Sequence, residues 1–131
     1  MPVQPGILPD APAHARYIEL SMIADADVRP SLAALSALGV DERVVVGIGA
    51  SLVASLGMDI PGLQGFPALV GPGCRVPSTQ ADLWFWLRGS DRGELLHLGR
   101  EWTGTVADGF DVESIVDGFK YRDSRDLTGY E

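Results

Sequence analysis

A chain of 131 residues, 46% apolar and 21% charged, can bury a core of its own and is too apolar to be disordered. Ten basic residues against eighteen acidic ones give a formal charge of -8, a field that repels polyphosphates and argues against nucleic acid as a partner. A single cysteine, Cys74, excludes an intramolecular disulfide, and its neighbours Gly71-Pro72-Gly73 and Arg75-Val76-Pro77 suggest a loop. The longest apolar stretch, Val44 to Leu56, is broken by Gly47, Gly49, Ser51 and Ser55 and is too short to span a bilayer. The opening Met1-Pro2-Val3-Gln4-Pro5-Gly6 has neither the basic segment nor the apolar run of an export signal, so a cytoplasmic location without a membrane partner is expected.

Residues 1–13, rich in proline, predict an irregular arm lying across the domain. Arg16 to Met22 reads as a strand, with Ile18, Leu20 and Met22 on one face and Tyr17, Glu19 and Ser21 on the other. Asp27-Val28-Arg29-Pro30 starts a helix, with Asp25 or Asp27 as cap and Pro30 tolerated in the first turn. Val28, Leu32, Leu35 and Leu38 form its apolar stripe, and Gly39 ends it. Arg43 to Ile48 is a second, valine-rich strand, and Ala50 to Leu56 a short helix stopped by Gly57.

Met58 to Gln80 lacks sustained periodicity and is punctuated by Pro61, Pro67, Pro72 and Pro77. So long a connection has a functional or interface role, or packs as an ordered meander. Asp82 to Arg88 is the clearest strand: Leu83, Phe85 and Leu87 point one way and Trp84 and Trp86 the other, so both faces want cover. Asp91-Arg92-Gly93-Glu94 is a capped helix start, and Leu95, Leu96, Leu98 and Trp102 continue an apolar side to about Val106. Asp111 to Tyr121 returns to strand, with Ile115, Phe119 and Tyr121 sharing one parity with Asp117. The order matches the split β-α-β arrangement of an α+β ferredoxin-like sandwich. It predicts a four-stranded antiparallel sheet with helices on one face, in one domain over residues 1–131.

Few side chains suggest chemistry of their own. Val46-Gly47-Ile48-Gly49-Ala50 resembles the start of a dinucleotide-binding turn, but Leu52 stands where a third glycine is required, and a close packing turn accounts for it better. His14 and His97 have no histidine or cysteine partners at ligand spacing, so no metal site is expected. Asp108 with Asp111, and Asp123 with Asp126, lie in polar turns and read as solvated acids, with no catalytic residue among them. Trp84 and Trp86 could stack on a flat ligand, although strand aromatics more often pack against another layer.

Arg125-Asp126-Leu127-Thr128-Gly129-Tyr130-Glu131 resembles the lead into the Gly-x-x-Asp-Gly loop of the dye-decolorising (DyP-type) haem peroxidases. Gln4-Pro5-Gly6-Ile7-Leu8, Val44-Val45-Val46-Gly47-Ile48-Gly49, Phe66-Pro67, Thr79-Gln80-Ala81-Asp82-Leu83 and Asp117-Gly118-Phe119 are similar to further stretches of that family, in order. The resemblance implies the amino-terminal half of a peroxidase of two ferredoxin-like halves, with haem b held mainly by the carboxy-terminal half. Hydrogen peroxide is split at the iron, and dyes or phenols are oxidised. It places Gly129, Tyr130 and Glu131 in the stem of the loop that covers the haem, just before its distal aspartate. The proximal histidine and distal arginine belong to the other half, so this chain alone is expected to bind no haem and to be inactive. The cytoplasmic members of that family, some of them cargo of bacterial encapsulating shells, lack an export signal, so the resemblance implies the same location here.

Two alternatives remain on the sequence: a haem- or iron-handling member of the same superfamily, and a non-enzymatic ferredoxin-like module that self-associates. The two-sided apolar strand Leu83–Leu87 also predicts a homo-oligomer, most simply a dimer with sheets face to face or paired at an edge.

Overall fold

The alternation of side chains along three apolar segments sets the centre of the molecule. In the computed structural model, which describes residues 3–128, these segments are β1 (His14–Met22), β2 (Val44–Ile48) and β5 (Leu83–Gly89). Between them lie α1 (Arg29–Leu38), α2 (Ala50–Ser55) and a small hairpin of β3 (Leu69–Gly71) and β4 (Cys74–Val76). After them come α3 (Arg92–Val106) and β6 (Phe110–Phe119). The main sheet has the order β2-β5-β1-β6 with every pairing antiparallel, the topology of a ferredoxin-like α+β sandwich.

Register turns the alternation into two faces. Ile18 lies beside Phe85 and Ile115, and Tyr17 beside Trp86 and Val116, so one face gathers the core residues and the other gathers Tyr17, Trp84 and Trp86. On the helix side Ile18, Leu20, Val44, Leu83, Phe85 and Leu87 are buried against Leu35 of α1 and Leu95, Trp102 and Val106 of α3. Burying each such side chain contributes about 1.5–3 kcal/mol. Phe85 meets Trp102 edge to face, with ring centroids 5.5 Å apart. Gly99 lets α3 come close, since a Cβ there would stand 3.3 Å from Ile18 Cδ1.

The packing turn between β2 and α2 is as expected. A Cβ on Gly49 would lie 2.1 Å from the carbonyl oxygen of Ala81, and Gly49 N–H donates to Asp82 O at 2.9 Å. Asp91 caps α3, its Oδ1 accepting from the Glu94 N–H at 2.9 Å.

The structure corrects the expectations at four places. The N-cap of α1 is Val28, with no side-chain cap bond; Asp27 Oδ1 accepts from the Arg29 N–H one step earlier, and Asp25 takes a positive φ of 62° instead. Leu38 leaves the apolar stripe and is 39% exposed. The connection after α2 contains the β3–β4 hairpin, which puts Cys74 at the start of a strand, after Gly73 with φ 70°. All of residues 57–80 are exposed. Finally, β6 stops at Phe119, and Tyr121 belongs to a separate bridge with Arg125.

Candidate functional site

The face away from the helices carries the aromatic residues. Tyr17 stacks on Trp84 and Trp86, with centroids 6.0 and 6.2 Å apart, and the two indoles lie 6.5 Å apart at 36°. Trp84 and Trp86 therefore pack against Tyr17 and each other, and both are half-buried.

Part of their cover is the arm before β1, and one arginine holds it. Arg88 shares the parity of Trp84 and Trp86, yet is only 5% exposed. Its Nη1 donates to Gly6 O, and its Nη2 to Pro9 O at 3.0 Å and Asp10 O at 2.5 Å. Its Cζ stands 4.7 Å from the centre of the Trp86 ring. These contacts come from carbonyl dipoles and an indole face.

Further along the arm, Gln4 behaves like a short strand. Its side-chain carbonyl accepts from the Val46 N–H at 2.9 Å, and its amide donates to Val46 O at 2.8 Å. Gly6 is required beneath, because a Cβ would come within 2.8 Å of Val45 Cγ2.

The chain beyond β6 is fixed by polar contacts. Arg16 grips Asp117 with two hydrogen bonds, Nε to Oδ1 at 2.7 Å and Nη2 to Oδ2 at 2.9 Å, and Arg92 adds a contact at 3.7 Å. The Arg16 hydrogen bonds, helped by the Arg92 charge, hold the Asp117 carboxyl below the usual carboxylate range. Lys120 N–H then donates to Ala13 O at 2.8 Å, and the N–H groups of Ser124 and Arg125 both donate to Tyr121 O. Arg122 and Ser124 adopt positive φ of 49° and 80°, a strained turn for residues with side chains. Arg125 pairs with Asp123 and lowers its pKa; Asp126 Oδ1 accepts from the Thr128 N–H at 2.8 Å.

These two segments enclose a groove of about 290 Å³. Pro12, Tyr17, Trp86, Phe119, Tyr121 and Arg125 are among its walls. Gly129, Tyr130 and Glu131, the loop stem expected from the sequence, follow this turn in the chain and lie outside the described residues.

The chemistry of a haem site can be tested against the donors present. Haem needs an axial ligand in a deep pocket. His97 is exposed on α3, and His14 lines a groove of about 270 Å³ with Arg92, Asp117 and Phe119. A larger groove of about 490 Å³ is lined by Gln4, Leu32, Leu35, Ser36, Gly39, Val40, Val46 and Ile48, none of them an axial ligand. The larger groove thus offers no axial donor, and the 270 Å³ groove offers His14 alone. Among the described residues, no group of three or more His, Cys, Asp or Glu side chains could hold a metal ion. Asp108 and Asp111 are both exposed. No described helix is long and apolar enough to cross a membrane.

Comparison with known proteins gives this geometry its context. The family model for the amino-terminal part of Dyp-type peroxidases matches residues 14–120. A dye-decolorizing peroxidase of Brevibacterium linens is 36% identical over 89 residues, covering 66% of this chain and 24% of that protein. A dyp-type peroxidase protein from Shewanella oneidensis superposes with a TM-score of 0.78 at 27% identity, over 96% of this chain and 45% of that one. DypB from Rhodococcus jostii RHA1 superposes at 0.76 with 28% identity, again over 45% of its own length, and a variant of DypB has been solved in complex with heme. The encapsulated DyP-type peroxidase from Mycobacterium smegmatis, 21% identical, shares the fold with a TM-score of 0.76. The chain thus spans under half the length of the solved relatives and about a quarter of the curated one.

Proposed function

The chain belongs to the DyP-type peroxidase family as its amino-terminal domain, and from this we propose that it serves as the scaffold half of a haem-dependent peroxidase that oxidises dyes or phenols with hydrogen peroxide. The observation that carries the reading is the family match across residues 14–120, which covers the whole four-stranded sheet. Haem b, supplied with its axial ligand by a carboxy-terminal half, provides the redox chemistry when bound. What this chain contributes is position. The Arg16–Asp117 ion pair and the Lys120–Ala13 hydrogen bond anchor the end of β6, and the turns at Tyr121–Arg125 and Asp126–Thr128 aim the following residues. Gly129, Tyr130 and Glu131 then form the stem of the loop that lies over the haem in the complete enzyme.

On this reading the chain alone has no peroxidase turnover. Mixed with equimolar haem and peroxide, the purified protein should bleach a dye no faster than free haem, because axial identity and distal groups set haem reactivity. A sharp histidine-ligated Soret band together with bleaching would overturn the scaffold role and point to His14 or His97. Its partners are the carboxy-terminal half and a second copy of the same chain, in the cytoplasm or within an encapsulating shell.

A further inference from the structure

We infer that residues 3–10 form a strap that lifts from the sheet as one unit, hinged at Ala11 and Pro12, while the domain beneath stays folded. Closed, the strap covers two places at once: the Val46 edge of β2 and the Trp86 end of the aromatic face, where Arg88 holds it.

Its attachment is polar. None of its residues belongs to the hydrophobic core cluster, and its large apolar side chains Val3, Ile7 and Leu8 are 54, 48 and 79% exposed. Among the described residues its backbone makes one backbone hydrogen bond, from the Ile7 N–H to Gln4 O at 3.1 Å, and none to the sheet. What holds it is the Gln4 amide on Val46 and the Arg88 guanidinium on the carbonyls of Gly6, Pro9 and Asp10. Lifting the strap exchanges these hydrogen bonds for bonds to water and leaves the core intact. Those are the conditions for a local opening well below the free energy of global unfolding.

The underside of the strap is also incompletely satisfied. Among the described residues, the side-chain polar atoms buried without a hydrogen-bond partner are His14 Nδ1, Trp86 Nε1 and Arg88 Nε. Two of the three belong to the clasp, the arginine and the indole it covers, and His14 follows the hinge. A buried polar group without a partner costs free energy that water returns on opening, which poises the closed state against the open one.

The parts that stay and the part that moves are separate along the chain. Arg88 remains with the sheet, its N–H donating to Arg43 O at 2.8 Å, and Ala13 O is held by the Lys120 N–H at 2.8 Å. Between Asp10, the last residue clasped, and Ala13, the first one pinned, only Ala11 and Pro12 are left to turn. Pro5 and Pro9 restrict the strap itself, so it moves as a body.

The test is hydrogen exchange by NMR on the 131-residue chain, followed across urea concentrations below the unfolding transition. The Val46 N–H and the Trp86 indole N–H report on the two ends of the strap. Both should exchange about tenfold or more faster than the Ile18 and Phe85 amides at the centre of the sheet, through one shared opening free energy that hardly depends on urea. Gly6→Ala is a wedge under the strap, since the new methyl would stand 2.8 Å from Val45 Cγ2 and 3.3 Å from Glu42 O. It should raise both exchange rates together, about tenfold or more, and leave Ile18 and Phe85 unchanged. If Val46 and Trp86 exchange only together with Ile18 and Phe85, the arm is an integral part of the cooperative fold and the inference is overturned. Two ends that open with different free energies, or a Gly6→Ala chain that frees one end alone or neither, would overturn it as well. The parent measurement decides by itself should the variant fail to fold, and none of these results bears on the scaffold role, which the haem experiment tests separately.

Discussion

The two edges of the main sheet have been treated in opposite ways. At the β2 edge, the Gln4 amide takes both the N–H and the C=O of Val46, and the arm that carries it is tied down by Arg88. At the β6 edge, among the described residues, the last strand has one neighbour and four exposed apolar side chains. An isolated sheet gains from blunting both edges. Among the described residues only the β2 edge is blunted in this way. The contrast also shows that the arm is an edge-protecting device as well as a cover for the aromatic face, since one arginine anchors it for both tasks.

The largest effect is expected from removing that anchor. Arg88→Ala deletes the charge-assisted hydrogen bonds to Gly6, Pro9 and Asp10 and the contact with the Trp86 face. Bonds of this type contribute about 1.5–3 kcal/mol each when buried, but the freed carbonyls regain water once the arm lifts, so a net loss of about 2–3 kcal/mol is expected. Urea unfolding measures it, and amide exchange at Val46 should accelerate in the same variant. An unchanged Val46 would show that Gln4 caps β2 without help from Arg88.

Gln4→Ala sharpens the contrast at smaller cost. Two hydrogen bonds of 2.8 and 2.9 Å at a half-exposed edge are worth about 1 kcal/mol together. The more telling change is in association: with both edges open, sedimentation should show species larger than a dimer. A variant that remains no larger than its parent would mean that the arm backbone, not the glutamine, protects β2.

Much of this was legible in the chain. The alternation Leu83-Trp84-Phe85-Trp86-Leu87 specified a strand covered on both faces, and Asp91 with Glu94 specified the start of α3, because period and cap are local properties. The family resemblance likewise rested on local stretches such as Val44–Gly49. The Arg88 clasp was missed, though an arginine in step with two tryptophans was a signal for it. The β3–β4 hairpin was missed because three-residue strands with every side chain exposed show no alternation, even though Gly71-Pro72-Gly73 marked its turn. That β6 is an open edge could not be read at all. Its apolar residues look like those of a buried strand, and only the strand order shows that no described strand lies beyond it. For the loop stem Gly129, Tyr130 and Glu131 the sequence remains the sole guide.

The smallest predicted effect lies near the end of β6 and is recognised by its pH dependence. Asp117 is folded with its carboxyl below the ordinary value, chiefly through the Arg16 hydrogen bonds. A depressed folded pKa contributes stability that is fully present above the unfolded value of about 3.9 and is lost as pH falls through the folded one. Asp117 is about a third exposed, at 36%, so solvent screening limits the contribution to about 1 kcal/mol or less. Asp117→Asn should therefore lower the urea midpoint at neutral pH, and the difference should vanish only at a pH below the depressed folded value, where the folded parent carries a neutral acid too. Asp41, whose carboxyl is also lowered, by Arg43, is common to both proteins and cancels in the difference. A gap between variant and parent that stays constant across this range would assign the role of Asp117 to packing, and would leave Arg16 and Arg92 free of any charge-dependent part in holding the end of β6.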